Sequence, residues 1–481
     1  MRTAGGFRSR SLAKSLDWWL VGCWIVLVLI GWANIYASIH STEPASIFDW
    51  DCRSGKQFVW IGTSVIIALV ILFAIPPRLY EGLSVPIYGF VLLLLIAVIF
   101  LGIEVKGSRS WFEFGPIRFQ PAEISKISTS LLLATVMSQL GYRIGRLKDF
   151  LITALIILVP MGIIVLQSET GSALVYVGFI FMLYREGLTG WLIFMAGMAI
   201  LLFILTISVS PYVAILTLIG VASMCISLYS GRFKWWVFLG IPLIVLFSFV
   251  PKILSLIPFM AEVDPVWVLI GCSLLAAPFV AFQGFRERNM FTQLALISAV
   301  AGLVLVFSAD FLFNKVLQDH QRKRIEVLLG MKEDPAGVGY NVLQSKIAIG
   351  SGGFLGKGYL NGTQTTYGFV PEQSTDFIFC TVGEEWGFFG CSIVILLYVF
   401  LMWRIIHDAE RSREAFTRIY GYCVACCIFM HLFINIGMTI GLMPVIGIPL
   451  PFVSYGGSSM WGFTAMLFIF IALNRNERKY F

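Results

Sequence analysis

Runs of about 20 mostly apolar residues recur from residue 20 through residue 473, broken only by brief polar interruptions. A helix needs a run of about that length to cross the hydrocarbon of a bilayer. With 58% hydrophobic and 13% charged residues and a mean hydropathy of +0.87, the chain is far too apolar for a soluble globular protein. The expected fold is an all-α integral membrane protein, a polytopic helical bundle with lipid as its main solvent. A cleavable signal peptide is not expected.

Helices are predicted near 17–39, 57–76, 82–103, 122–140, 149–167, 171–185, 187–208, 211–229, 234–256, 266–284, 290–312, 376–403, 416–440 and 454–473, which makes about fourteen. Lys and Arg should gather in cytoplasmic loops. With the N-terminus inside, those loops carry Arg2, Arg8, Arg10 and Lys14, then Arg78, then Arg143, Arg146 and Lys148, then Arg185. Arg232 with Lys234, Arg286 with Arg288, the group Arg404, Arg411, Arg413 and Arg418, and finally Arg475, Arg478 and Lys479 continue the pattern. Both termini are therefore expected in the cytoplasm. The net charge of +7 is distributed over these short segments, a topology signal that argues against nucleic acid as a partner.

Nine cysteines and four histidines show no zinc-ligand spacing. Seven of the cysteines lie in apolar stretches, where packing is their expected role.

One outward segment, 312–375, is too long to be a tight connection, and loops beyond about 12–15 residues are usually functional or disordered. It contains Glu333-Asp334-Pro335-Ala336-Gly337-Val338-Gly339-Tyr340, then Gln344-Ser345-Lys346, then a glycine-rich stretch through Gly356-Lys357-Gly358. Gly356-Lys357 is followed by Gly358, not Ser or Thr, so this is no Walker A motif. Backbone amides in the glycine-rich turns, with Lys346 and Lys357, would suit a pyrophosphate group. A merely flexible loop is the alternative.

Arg118, Gln120, Pro121, Glu123 and Lys126 open an otherwise apolar helix. Glu123 and Lys126, three apart, share a face and are expected to line a cavity or to lock two helices as an ion pair. Residues 437–459 contain Pro444, Pro449 and Pro451 and cannot form a continuous helix. Such backbone at membrane depth survives only beside protein or cavity water, so this hairpin, with Ser454, is expected beside the long loop, a purely structural cap being the alternative. Glu372 and Asp376 sit where acidic groups favour a helix dipole. Glu384 and Glu385 lie deeper and need a partner or a cavity.

These segments together resemble the SEDS family of bacterial shape, elongation, division and sporulation proteins, and its RodA branch more than FtsW. The resemblance is carried by Ile117-Arg118-Phe119-Gln120-Pro121-Ala122-Glu123, by Asp334-Pro335 with Gly337 and Gly339-Tyr340, and by Gln344-Ser345-Lys346 through Gly353. Thr375-Asp376-Phe377, Glu384-Glu385-Trp386-Gly387 and the hairpin with Gly447-Ile448-Pro449-Leu450-Pro451 complete it. It covers about 1–208 and 312–481.

The resemblance implies a peptidoglycan glycosyltransferase that polymerises lipid II beside a class B penicillin-binding protein, in the bacterial cytoplasmic (inner) membrane, during cell elongation and rod-shape maintenance. It places the family's essential loop aspartate at Asp334, a candidate general base, and its cavity lysine at Lys126. A divalent cation, Mg2+ or Mn2+, is permitted, with no ligands assigned. Substrate or cavity residues are then Arg118, Gln120, Glu123, Lys126, Glu169, Lys346, Lys357, Glu384, Glu385 and Ser454. Gln167-Ser168-Glu169-Thr170-Gly171 departs from the family's usual Gln-Pro-Asp-Leu-Gly, although Glu169 keeps the charge. His320 stands where tyrosine is usual, and Trp386 where leucine is.

The domains expected are 1–208, N-terminal family helices; 209–311, about four inserted helices beyond the family's ten; 312–375, the large extracytoplasmic catalytic loop; and 376–481, C-terminal helices. An even insertion keeps Asp334 outside. A lipid-precursor flippase or transporter, or a noncatalytic scaffold for a penicillin-binding protein, are the alternatives.

Overall fold

The computed structural model describes residues 16–40, 46–229 apart from 106 and 116, 265–311 apart from 287 and 289, and 339–479, with isolated positions 244, 246, 313, 315, 322 and 326. Among them, ten helices are long and apolar enough to cross a membrane. The chain is a multi-pass membrane protein. In order, α1 (Trp18–Ile39), α2 (Arg53–Leu69, extended by a π-helical turn Val70–Ala74), α3 (Arg78–Gly82) and α4 (Ser84–Leu101) are followed by α5 (Pro121–Met137) and α6 (Leu147–Leu166). Next come α7 (Thr170–Val175), α8 (Phe179–Arg185), α9 (Gly190–Ser208), α10 (Pro211–Tyr229), α11 (Pro265–Arg286) and α12 (Met290–Phe311). The last are α13 (Tyr340–Ser351), α14 (Thr363–Thr366), α15 (Ile378–Arg411), α16 (Ala415–Thr439) and α17 (Gly457–Lys479). The helix expected at 234–256 falls almost entirely outside the described residues, and so does Asp334.

Hydropathy and burial run in opposite directions, as lipid as a solvent requires. Helix α4 is among the most apolar of these helices and is mostly unburied within the protein, whereas α16 is less apolar and is largely buried. A lipid-facing helix must be apolar on its outer surface, while a central helix finds partners for polar side chains on its neighbours. Helix α5 is the extreme case. It carries Glu123, Ser125, Lys126, Ser128, Thr129 and Ser130, all buried, and packs against α4, α6 and α16.

The chain forms two compact units, residues 1–188 with 335–481, and residues 189–334. The first has its core around α1, α5, α16 and α17, including Leu27, Leu133, Phe179, Tyr398, Tyr420 and Phe470. In the second, α9 to α12 enclose a separate core of Leu202, Ala214, Ile215, Leu218, Leu269, Ile270 and Val306. Helix α9 thus packs with the segment that follows it, its Leu202 against Gly302 and Leu218.

The all-α expectation needs one correction. A three-stranded antiparallel sheet, β1 (Ile103–Val105), β2 (Ser108–Phe114) and β3 (Ile117–Phe119), lies between α4 and α5. Gly107 and Gly115, at φ +84° and +63°, make the two turns. Glu104 pairs with Arg109, and Glu113 with Arg118, across the strands. These exposed pairs set register and contribute little stability.

A second departure lies inside α15, which breaks at Gly387 (φ 65°, ψ −162°). A break strands backbone donors and acceptors, and here the 353–358 turn satisfies them. The amides of Lys357 and Gly358 donate to the carbonyls of Glu384 and Glu385 at 3.1 and 2.9 Å, and those of Phe388 and Phe389 donate to Gly353 and Phe354. The approach is so close that a Cβ on Gly387 would lie 2.3 Å from the Gly356 nitrogen. Gly387→Ala is therefore expected to destabilise the protein by at least about 1–3 kcal/mol from backbone strain alone. Thermal unfolding of the detergent-purified protein checks this, and an unchanged midpoint would contradict it.

Candidate functional site

The first turns of α5 gather a buried polar cluster. Pro121 occupies the first turn, where its missing N–H is no loss, and Glu123 and Lys126 follow on one face. Lys126 is fully buried, with Nζ 2.8 Å from Glu123 Oε1 and 2.9 Å from His431 Nε2. The Phe463 ring lies under the ammonium, 4.8 Å to its centroid, a cation–π contact that favours charge in a dry place. His431 Nδ1 is 3.0 Å from the Pro449 carbonyl. A carbonyl only accepts, so Nδ1 carries the proton and Nε2 is left as acceptor for Lys126. One carboxylate, one ammonium and a neutral imidazole therefore form a balanced buried group, because an unpaired charge here would be strongly unfavourable.

Beside this group, Glu169 receives hydrogen bonds from Gln120 Nε2 (3.1 Å) and Ser110 Oγ (2.8 Å). The sheet is thereby tied to the start of α7. Arg118, by contrast, is exposed on β3 and pairs with Glu113. Its carbonyl accepts from Ser458 Oγ, which also receives the Gln120 amide.

The broken segment between α16 and α17 roofs the cluster. Asn435 Nδ2 donates to the carbonyls of Ile448 and Asp376, at 2.7 and 2.8 Å. Ser454 Oγ receives the Leu450 amide and donates to the Thr375 carbonyl. The Tyr455 amide bonds the Ser374 carbonyl, and Tyr398 donates its hydroxyl to the Pro451 carbonyl. Ser454 thus fastens the hairpin to the end of the long loop.

Glu384 and Glu385 differ sharply. Glu384 is fully buried and caps α14, taking the amides of Thr363, Gln364 and Thr365 at 2.7–2.9 Å. Lys357 Nζ is 2.7 Å from it. Apart from the pull of the Leu360 amide, the oxygens of Glu385, also buried, have no hydrogen-bond partner. Burial, with Glu385 nearby, pushes the Tyr359 hydroxyl up to about 12.

The structure therefore brings together Glu123 with Lys126, Gln120 with Glu169, and Lys357 with Glu384. It leaves Arg118 apart, and Lys346 exposed on α13. The glycine-rich amides and Lys357, expected to suit a pyrophosphate group, are engaged within the protein. The amides of Lys357 and Gly358 bond the broken helix, and the lysine pairs with Glu384, because both the break and the buried carboxylate need donors. His431 was missed, although an ionisable residue inside an apolar helix is by itself a signal. All nine cysteines are free thiols. Among the described residues, no three His, Cys, Asp or Glu side chains converge as metal ligands, so the Mg2+ or Mn2+ permitted by the sequence finds no such cluster there.

The family model for the FtsW, RodA and SpoVE cell cycle proteins matches residues 17–220 and 267–479. Its interruption is shorter than the 209–311 insertion expected. Peptidoglycan glycosyltransferase RodA of Treponema pallidum (strain Nichols) is 31% identical over 468 residues, covering 97% of this chain and 98% of the relative. Peptidoglycan glycosyltransferase MrdB of Escherichia coli (strain K12) is 29% identical over 396 residues, 82% of this chain and 78% of the relative. A solved chain described under "Structural coordination of polymerization and crosslinking by a peptidoglycan synthase complex" superposes with a TM-score of 0.60 at 25% identity, covering 96% of this chain and 98% of that one.

Proposed function

Because the chain belongs to the family of FtsW, RodA and SpoVE cell cycle proteins, we propose that it is a peptidoglycan glycosyltransferase that polymerises lipid II at the outer face of the bacterial cytoplasmic membrane during cell elongation. Among structural observations, the one that carries this reading is the Glu123–Lys126–His431 group, buried in an apolar bundle beneath the broken 440–456 segment. Relatives named for that activity along nearly the whole chain support it. Both termini then lie in the cytoplasm and 312–375 outside, as the distribution of Lys and Arg supports. The partner is a class B penicillin-binding protein, in keeping with the synthase complex named for the structural neighbour.

In this mechanism Asp334 takes the proton of the acceptor sugar's hydroxyl as its oxygen attacks the anomeric carbon of the donor. The new glycosidic bond forms there while the bond to the pyrophosphate oxygen breaks, and undecaprenyl pyrophosphate leaves. The Lys126 group acts by positioning: it fixes the outer end of α5 against the hairpin, and so the wall on which the substrate is held.

The test is polymer formation by the purified chain with its cognate penicillin-binding protein, carrying an inactive transpeptidase site, in detergent. There is no bilayer to cross, so a transporter yields nothing. Wild type is expected to make polymer and Asp334→Asn to lose about 10²–10⁴-fold in rate, the usual contribution of a general base. Polymer from Asp334→Asn at the wild-type rate would remove that residue from the mechanism.

A further inference from the structure

Within the second compact unit, a crevice of about 90 Å³ lies between α9, α10 and α12, and the mechanism above does not use it. Its floor is buried, with Leu202 on α9, Leu218 on α10, and Ala295 and Gly302 on α12. That floor is tight, since a Cβ on Gly302 would lie 2.7 Å from Leu218 Cδ1. The rim is exposed at Phe194 and Ala301. The crevice therefore continues the apolar outer surface of the same helices, on which Ile200, Ile297 and Val304 are exposed.

Its chemistry admits only an apolar occupant. Trp191 Nε1 donates to Ser298 Oγ at 3.0 Å, and that hydroxyl donates to the Leu294 carbonyl at 2.7 Å, so the polar groups of the wall are matched among themselves. Water needs about two to four polar partners to stay in such a space. An empty crevice, on the other hand, forfeits the dispersion contacts of its lining. Shape narrows the choice further. From Trp191 to Leu202 on α9, and from Ala295 to Leu305 on α12, the lining runs roughly 15–17 Å at about 1.5 Å per residue. That is about half of a hydrocarbon core of roughly 30 Å, the depth of one leaflet.

We propose that this crevice holds one acyl chain of an anionic phospholipid from the cytoplasmic leaflet. The crevice begins at the basic ends of its helices: Arg185 precedes α9, Arg232 and Lys234 follow α10, and Arg286 and Arg288 precede α12. Cations beside a membrane surface attract anionic headgroups, and Trp191, at that end, suits headgroup level. The choice of leaflet rests on the orientation proposed above. On that orientation the polyprenyl tail of the polymerase's own substrate enters from the opposite leaflet, which favours the phospholipid as occupant.

The experiment reconstitutes the full-length protein in vesicles of phosphatidylethanolamine and phosphatidylglycerol, doped with phosphatidylglycerol that carries a diazirine midway along one acyl chain. After irradiation, labelled residues are mapped by mass spectrometry. Wild type is expected to be labelled at Met195, Met198 and Cys225, which line the crevice, above the level at exposed Ile200, Ile297 and Val304. Ala222→Phe and Ala199→Phe fill the crevice from different walls, and each is expected to lose the labelling inside while keeping it outside. Two walls are used so that one variant that fails to fold leaves the other to decide. Labelling no higher inside than outside in wild type, or unchanged labelling in a folded filling variant, would overturn the proposal. So would displacement of the label by polyprenyl phosphate but not by unlabelled phosphatidylglycerol, which would give the crevice to the isoprenoid. Labelling is read without turnover, so a protein that labels as expected yet makes no polymer contradicts the polymerase function and leaves the acyl-chain assignment standing.

Discussion

Lys126→Met is expected to destabilise the folded protein by about 3–5 kcal/mol, as removal of one partner from a buried ion pair does. The cause is what stays behind. Glu123 is nearly as buried as the lysine, and without Nζ its carboxylate faces an apolar bundle. His431 also loses the donor on Nε2. The double variant Glu123→Gln/Lys126→Met removes both charges and is expected to recover most of the loss, since apolar or neutral replacement of a buried pair is often close to neutral. Unfolding midpoints of the three proteins in one detergent make the comparison. A double variant no more stable than Lys126→Met would mean that the two charges do not act as a pair.

Glu384→Ala is the second change with a large expected effect. One carboxylate holds three successive backbone amides, the hydroxyls of Thr363 and Thr365, and the ammonium of Lys357. Hydrogen bonds to a charged group are worth about 1.5–3 kcal/mol each, so a loss of roughly 3–5 kcal/mol is expected even with water replacing some of them. Residues 356–366 should then exchange amide hydrogens faster while α16 remains protected. The same segment clasps the break in α15, so faster exchange should spread to 384–389. Unchanged exchange at 363–365 would contradict the capping role.

Much of this architecture was legible in the sequence because lipid demands one thing of every spanning segment, an apolar run of sufficient length. The predicted segments at 17–39, 149–167, 211–229 and 416–440 fall on helices for that reason. Pairing inside one element was legible as well, as for Glu123 and Lys126, whose spacing alone puts them on one face. The sheet at 103–119 escaped although its signal was present: two glycine turns flank a seven-residue strand of β-branched-poor, aromatic-rich sequence too short to register beside the apolar runs.

The glycine-rich stretch shows a different limit. Its density announced unusual backbone angles, and Gly353, Gly356 and Gly358 do have positive φ. What those angles serve, however, is a carbonyl pair about thirty residues away, at Glu384 and Glu385. Nothing local to the turn distinguishes amides aimed at an anion from amides aimed at a broken helix. His431 was hidden for a related reason, since its partners Lys126 and Pro449 come from other elements.

The most direct test of the central claim, that the buried Glu123–Lys126–His431 group serves polymerisation and not stability alone, is the rate of glycan polymer formation by the Glu123→Gln/Lys126→Met variant, folded and assayed beside wild type. The account predicts a fall of about 10²-fold in kcat with KM little changed, as misplacement of a positioned substrate by about an ångström produces. A folded double variant that polymerises at the wild-type rate would contradict it.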